Sequence, residues 1–385
     1  MSCVVGIVSE YNPFHNGHKY QVEQIRKELP EATIIAIMSG NIVQRGEFAM
    51  LDKYFRARIA MENGINAVFE LPYPYSGSTA EIFASAGVEI AHKLGCDYLY
   101  FGTEDEGLDR IEKLSEIIDS EEFEDELKKQ VSDNGKGFLQ AKSDALKKFG
   151  YELPKSSNDI LALEYIRAIK KRKIGLKWRT VKRIGAKYND DSVCDIMSAS
   201  AIRKHFLQCG RFVSVPSIDC YELESENGHT LNYEYMNRYL HQHVLCNSEK
   251  ISSAFDSNKE IAGIVSTLSL NCDSIEFFEK LSSKIYTTSR LRRVILYSLF
   301  DEKNVDTKPS FTFLLGVDDK GRSLLNCVKK QSDFLIITKH SDLNKLNESD
   351  RCEAEKRYRI DALYNTMLRV GKTPSCAYKT KPFIK

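Results

Sequence analysis

Within the first hundred residues, short β-branched apolar runs alternate with amphipathic stretches, and that alternation leaves few architectures open. Residues 3–8, 33–38, 67–71 and 98–101 are the apolar runs, and helical periodicity fills roughly 17–29, 53–63 and 81–94 between them. Strands apolar on both faces and joined by helices require a parallel sheet covered on both sides. The expected fold class is therefore α/β, with a Rossmann-like parallel sheet. In such sheets ligands lie beyond the carboxyl ends of the strands. The loops at those ends carry the unusual residues here: 10–18, 39–47, 72–79 and Gly102-Thr103-Glu104.

Further along, 108–172 reads mainly helical and charged, 178–184 reads as a strand, and 200–207 as a short helix. Beyond residue 210 strand signals thin out, Ser and Asn become commoner, and 290–300 and 353–367 are helical in pattern. Two domains are expected, an α/β domain over 1–210 and a mainly helical one over 211–385. A chain of 385 residues with 42% hydrophobic and 28% charged residues has the balance of a soluble globular protein. No apolar run is long enough to cross a bilayer, and the opening residues lack the pattern of a signal peptide, so no membrane association and a cytoplasmic location are expected. The ten cysteines are scattered and never spaced C-x-x-C, which favours free thiols.

The net charge of +1 gives no global attraction to nucleic acid. The local distribution is less even. Ten basic residues and no acid lie between Arg167 and Lys187. Lys170, Lys171, Lys173, Arg179 and Lys182 are the candidates there for following a phosphate backbone, and a solvated helix face is the competing reading.

The run Gly6-Ile7-Val8-Ser9-Glu10-Tyr11-Asn12-Pro13-Phe14-His15-Asn16-Gly17-His18 is a strand, a tight loop and a helix start. Pro13 fixes a backbone dihedral and Gly17 leaves room at the helix N-terminus. Exposed N–H groups and the positive end of the helix dipole favour an anion there, phosphate being the usual one. His15 and His18, at i and i+3, share the first turn and are expected to face solvent. Their ring N–H groups suit phosphate oxygens that gain charge as pyrophosphate leaves. A zinc site would need further ligands, and a dehydrogenase-type loop would need G-x-G-x-x-G; neither is evident nearby. His241-x-His243-x-x-Cys246 is mildly metal-like, but a helix face accounts for it as well.

Ser198-Ala199-Ser200-Ala201-Ile202-Arg203 looks like the S-[ST]-x-I-R signature that closes over β- and γ-phosphates in nucleotidyltransferases. Ser200 is equally suited to cap a helix. With Ser39-Gly40, Gln44-Arg45-Gly46-Glu47, Phe69-Glu70-Leu71-Pro72, Phe101-Gly102, Ser157-Asn158-Asp159-Ile160-Leu161 and Lys182-Arg183-Ile184-Gly185-Ala186, these motifs resemble the bacterial tRNA(Met) cytidine acetate ligase family. The resemblance covers about the first 210 residues in order and approximate spacing, and extends less specifically to 290–300 and to Leu315-Gly316 and Gly321-Arg322.

That resemblance implies a ligase that activates acetate with ATP, releasing pyrophosphate. The acetyl-adenylate then acetylates N4 of the wobble cytidine of elongator tRNA(Met), giving N4-acetylcytidine and AMP. Carried over by motif, the ATP-binding residues are Val8, Ser9, Glu10, Tyr11, Asn12, Pro13, Phe14, His15, Asn16, Gly17, His18, Lys19, Tyr20, Gln21, Gly102, Asn158, Arg183 and Ile184. Ser200 and Arg203 join them through the later signature, and His15 and His18 are the catalytic pair. Asn158 also suits a helix cap before Ile160-Leu161. Mg²⁺ is expected with ATP because it offsets the triphosphate charge; no metal ligands are assigned to the protein. Thr103 and Asn189 depart from the family pattern, the latter standing where histidine is expected.

Two other readings stay open at this point. One is adenylyl transfer to a small cofactor precursor, which leaves the chain after 210 and the basic stretch without a use. The other is a non-enzymatic RNA-binding protein on the same fold, against which the intact His15, His18, Ser200 and Arg203 argue. Acetyl-CoA as donor is disfavoured, because Arg172-Lys173-Ile174-Gly175-Leu176-Lys177 meets only the first half of a [QR]-x-x-G-x-[GA] loop.

Overall fold

The computed structural model describes residues 3–104, 107–132, 138–182, 196–283 and 285–385. The apolar runs are strands and the periodic segments are helices. In order they are β1 (Val4–Ser9), α1 (Asn16–Glu28), β2 (Thr33–Ser39), the small hairpin β3 (Ile42–Val43) and β4 (Glu47–Phe48), α2 (Lys53–Glu62), β5 (Ala67–Leu71), α3 (Ala80–Lys93) and β6 (Tyr98–Thr103). Helices α4 (Leu108–Ile118), α5 (Glu121–Ser132), α6 (Phe138–Lys148) and α7 (Ser157–Arg172) follow, then β7 (Lys177–Lys182) and α8 (Ala199–Cys209). β1 pairs in parallel with β2 and β6, β2 with β5, and β6 with β7. Every residue of β2 is buried, which is why its sequence shows no alternation. Val5 and Ile7 face one apolar layer with Val22, Ile25 and Phe55, whereas Ile35, Ile37 and Phe69 face the other with Phe83, Val88 and Ile90.

The remaining residues form α9 (Ile218–Glu226), α10 (Tyr233–Cys246), α11 (Ser248–Ser253), α12 (Lys259–Asn271), α13 (Ser274–Lys280) and α14 (Thr288–Leu299). Next come β8 (Phe311–Val317), α15 (Asp319–Gln331), β9 (Leu335–Ile337), α16 (Glu348–Thr366), α17 (Cys376–Lys379) and β10 (Phe383–Ile384). The expected division after residue 210 does not follow the sheet. β8 runs antiparallel beside β5, and β9 and β10 pair with β8, so the order is β10-β8-β5-β2-β1-β6-β7. Phe311–Val317 is buried throughout, an apolar strand set among helical patterns that mask it in sequence. The helices α10–α14 gather around Val244, Val265, Phe277 and Val294, and the same cluster includes Ile42, Phe48 and Tyr73 from the strand-end loops. Two tyrosines tie this helical layer to the carboxyl side of the sheet. Tyr297 donates to the Gly77 carbonyl at 3.1 Å, and Tyr364 to that of Ala49 at 3.0 Å.

Deeper still lies a four-charge cluster. Lys53 of α2 bonds Glu70 of β5 at 2.7 Å and Asp361 of α16 at 2.8 Å, while Arg357 of α16 bonds Glu70 at 3.0 Å and Asp361 at 3.3 Å. Asn41 closes the ring, donating to Asp361 at 2.9 Å and accepting the Lys53 N–H at 3.0 Å. Burial alone would push the Glu70 carboxyl up, but Arg357 and Lys53 outweigh it and hold the group below the usual carboxylate range. Among the described residues no helix is long and apolar enough to cross a membrane, and nine cysteines are free thiols.

Two cations and two carboxylates compensate one another there, so removing one leaves a buried charge uncompensated. Lys53→Met is expected to destabilise the fold by about 3–5 kcal/mol, measured by urea denaturation. A loss below 1 kcal/mol would mean that water reaches the cluster.

Candidate active site

The loop after β1 is built from buried contacts. Tyr11 adopts a left-handed backbone (φ 47°) and is buried, its ring edge-on to Phe14 and to His18 with centroids 4.8 Å away in each case. Asn12 accepts the Met50 N–H at 2.9 Å. Arg56 of α2, fully buried, gathers the loops together by donating to four carbonyls: Leu51 at 2.9 Å, Glu10 at 2.5 Å, Ser39 at 3.2 Å and Gly40 at 2.5 Å. No sequence signal marks Arg56, because it occupies an ordinary polar slot in a helical pattern.

His15 is the N-cap of α1. Its Nδ1 accepts the Gly17 N–H at 3.1 Å, and the His18 Nδ1 accepts the His15 N–H at 3.2 Å. A side chain on residue 17 would put its Cβ 2.9 Å from His15 Cε1, so the ring leaves room only for glycine. The two rings stack at 3.7 Å, 29° from parallel. An Nδ1 that accepts a backbone N–H carries no proton, so each neutral ring holds its proton on Nε2. Two Nε2–H donors therefore stand side by side at the positive end of a helix, which suits an anion with several oxygens. The expectation that both rings face solvent is corrected. His15 is 3% exposed and His18 is half-buried, because both serve as caps.

α8 approaches the same loop. Ser198, rather than Ser200, is its N-cap and accepts the Ala201 N–H at 3.2 Å, so Ser200 lies within the first turn. Arg203 donates to the Asn12 carbonyl at 2.7 Å and to Ser200 Oγ at 3.4 Å. Ser214 joins the two helix starts, accepting the Asn16 N–H at 2.9 Å through its carbonyl and the Met197 N–H at 2.8 Å through its hydroxyl. The two motifs, far apart in sequence, thus meet at one loop.

On the other side of β1, half-buried Gly102, the last residue but one of β6, lies opposite Val181. Ser156 caps α7, which removes that role from Asn158. Asn158 donates instead to Glu104 at 2.6 Å, while Asp159 accepts the Glu104 N–H at 3.0 Å. Gln21 reaches the Tyr100 carbonyl at 3.5 Å, Lys19 is exposed and Tyr20 half-buried. Val8 packs on Gly87 of α3, and Ser9 closes β1. Pro13 is buried within the loop. Arg183, Ile184 and Asn189 lie outside the described residues.

Much of the basic stretch faces acids. Lys170 bonds Glu116 at 3.0 Å, Lys171 bonds Asp119 at 3.2 Å, Arg172 bonds Glu89 at 2.6 Å, and Arg179 bonds Glu28 at 2.8 Å. Lys173, in a left-handed C-cap, and Lys182 are exposed. His241 and His243 turn to different partners, Ser269 and Ser298, each at 2.9 Å.

A sequence profile described as HIGH Nucleotidyl Transferase matches residues 1–379. The tRNA(Met) cytidine acetate ligase of Thermosipho africanus is 33% identical over 94% of this chain and 91% of its own length. That of Fusobacterium nucleatum is 32% identical over 95% of each. The crystal structure of apo Thermotoga maritima TmcAL superposes with a TM-score of 0.91 at 26% identity, covering 99% of both chains. The same protein bound to alpha-thio ATP gives 0.89 at 25% identity, with the same coverage.

Capping and chemistry at His15 can be separated by substitution. His15→Ala is expected to lose about 1 kcal/mol of stability with the cap, whereas His15→Asn, which also caps, stays within a few tenths. Both are expected to lose about 10²–10³ in the rate of ATP turnover. Denaturation curves paired with pyrophosphate release check this, and near-normal turnover in His15→Asn would leave the ring with a capping role alone.

Proposed function

The chain belongs to the HIGH nucleotidyl transferase family, within it to the tRNA(Met) cytidine acetate ligases, and from that premise we propose how its residues carry out the reaction. It is an ATP-dependent ligase. Acetate attacks the α-phosphorus of ATP, pyrophosphate leaves, and acetyl-adenylate forms. The exocyclic N4 of the wobble cytidine of elongator tRNA(Met) then attacks the acetyl carbonyl and expels AMP.

The observation that carries this reading is the reciprocal cap at His15 and His18, which fixes two Nε2–H donors at the start of α1. Preorganised donors of this kind stabilise the charge that builds on the departing pyrophosphate, and no covalent partner is needed. Arg203, fastened to the Asn12 carbonyl, brings a positive charge to the same loop for the outer phosphates. Gly102 and Asn158 bound the side assigned to the nucleoside. Arg183 and Ile184 complete the ATP residues by motif. Among the described residues no three His, Cys, Asp or Glu side chains are grouped to hold a metal. We therefore assign Mg²⁺ to the triphosphate, whose charge it offsets. Acetate is the acyl co-substrate, and the reaction is read as cytoplasmic.

Lys173, exposed at the end of α7, and Lys182, exposed at the end of β7, together with Lys170, Lys171 and Arg179, remain the assigned RNA contacts of the basic stretch. The ion pairs of the last three must open for them to serve, and surface pairs are weak enough to do so.

Activation before transfer has a clear kinetic signature. With Mg²⁺, ATP and acetate, labelled pyrophosphate is expected to exchange into ATP in the absence of tRNA, and nucleoside mass spectrometry should find N4-acetylcytidine only once tRNA(Met) is added. Exchange supported by another small acid but never by acetate would point to adenylyl transfer to a cofactor precursor.

A further inference from the structure

The motif Gln44-Arg45-Gly46-Glu47 forms the tip of the β3–β4 hairpin, and none of the steps above uses it. It lies against the first half of α14, which carries Arg290, Arg292 and Arg293. Gly46, at φ +75°, approaches α14 so closely that an added Cβ would lie 2.6 Å from the Arg293 nitrogen. Hairpin and helix are therefore locked together. Two of the helix arginines have acids: Arg290 pairs with Asp256 at 2.8 Å, and Arg292 with Glu47.

Arg293 does not. It is 7% exposed, and among the described residues no carboxylate lies within ion-pair distance of it. Its guanidinium makes one long bond, to the Gln44 carbonyl at 3.5 Å, and its Nε is buried with no acceptor. The Arg292 Nε is likewise buried without an acceptor. Arg45, half-buried on the hairpin, is lightly held by Ser157 Oγ at 3.3 Å. Burial first, and then the charge of Arg45, push the Arg292 guanidinium below its usual range. Counting Arg290 and Asp256, whose charge also acts on Arg293, four cations thus meet two carboxylates among the described residues, an excess of positive charge. A buried charge without a counter-charge is costly, and natural proteins pair such groups. Planar guanidinium forks match phosphate oxygens in particular.

We propose that Arg45, Arg292 and Arg293 form a seat for a phosphodiester of the RNA substrate, held at the junction of the hairpin and α14. The proposal rests on reading the chain as an acetate–tRNA ligase. ATP is the less fitting source of the phosphate, because its phosphates have their own assigned donors at the start of α1, whereas the hairpin tip meets that loop only through the Gln44 N–H, which the Glu10 carboxylate accepts at 2.8 Å. The seat also joins the two parts that the reaction must coordinate. Arg45 touches the first turn of α7, beside Asn158 on the nucleoside side, and Arg292 and Arg293 belong to the helical layer.

The test compares binding of unmodified tRNA(Met) transcript at several salt concentrations with acetate-dependent pyrophosphate exchange measured without tRNA. Arg45→Gln and Arg292→Gln alter half-buried residues, and urea denaturation of each variant checks that it is folded. Arg293→Lys keeps the charge of the third residue but not its fork. For Arg45→Gln, binding is expected to weaken about tenfold, and the slope of log affinity against log salt to flatten by about 0.7. Arg293→Lys should weaken binding too, and the losses should fall on tRNA binding rather than on exchange. Unchanged tRNA affinity and salt slope in all three variants would overturn the seat. Impaired exchange with normal tRNA binding would overturn it as well, because the phosphate would then belong to ATP. If the wild-type enzyme itself neither exchanged pyrophosphate with acetate nor acetylated tRNA, the functional reading would fail instead, and the salt slopes would still report on the seat.

Discussion

Lys53, Glu70, Arg357 and Asp361 share one water-excluded space, and the placement of the site depends on their mutual compensation. Each charge alone would be expelled from such a place, so all four must be present together. They come from α2, β5 and α16. Satisfying them fixes the carboxyl end of β5 against α2 and brings the last long helix onto the sheet. Asn41, bonded to both Asp361 and the Lys53 backbone, carries that order into the β2–β3 connection. One turn further along α2, Arg56 donates to carbonyls of three separate loops. A single helix thus converts buried electrostatics into loop positions, and the loop after β1 is one of those loops.

The two histidines show how such a loop can be both scaffold and reagent. Because each Nδ1 receives a backbone N–H, neither ring carries a proton there. In the proposed reaction such neutral donors act through fixed direction. Full positive charges nearby are those of Arg203, attached to the same loop from α8, and of Arg56 beneath it.

The parallel sheet was legible because β2 and β5 are buried on both faces and their sequences show it as unbroken apolar runs. The turn from β1 into α1 was legible because H-x-G-H falls where an apolar run ends and helical periodicity begins. Roles defined by a partner distant in sequence were not. Nothing in the text of α2 distinguishes Lys53 and Arg56, which are buried, from Arg58, which is partly exposed. The capping alternatives for Ser200 and Asn158 were reasonable by residue type, yet Ser198 and Ser156, two residues earlier in each case, do the capping. A count of basic residues likewise hid the acids of α1, α3 and α4 that face most of them. β8 escaped notice because seven residues, five of them apolar, among helical patterns do not announce which sheet they will join.

That late strand has a consequence for biosynthesis. A ribosome delivers the chain from its N-terminus, so β1, β2, β5, β6 and β7 are available long before Phe311–Val317. Until β8 arrives, β5 is an open edge with unpaired N–H and C=O groups, and Lys53 and Glu70 have neither Arg357 nor Asp361 beside them. An open, apolar strand edge invites pairing with other chains. The α/β half of the nascent chain thus keeps one edge unpaired and two charges uncompensated until residues 311–361 have been made.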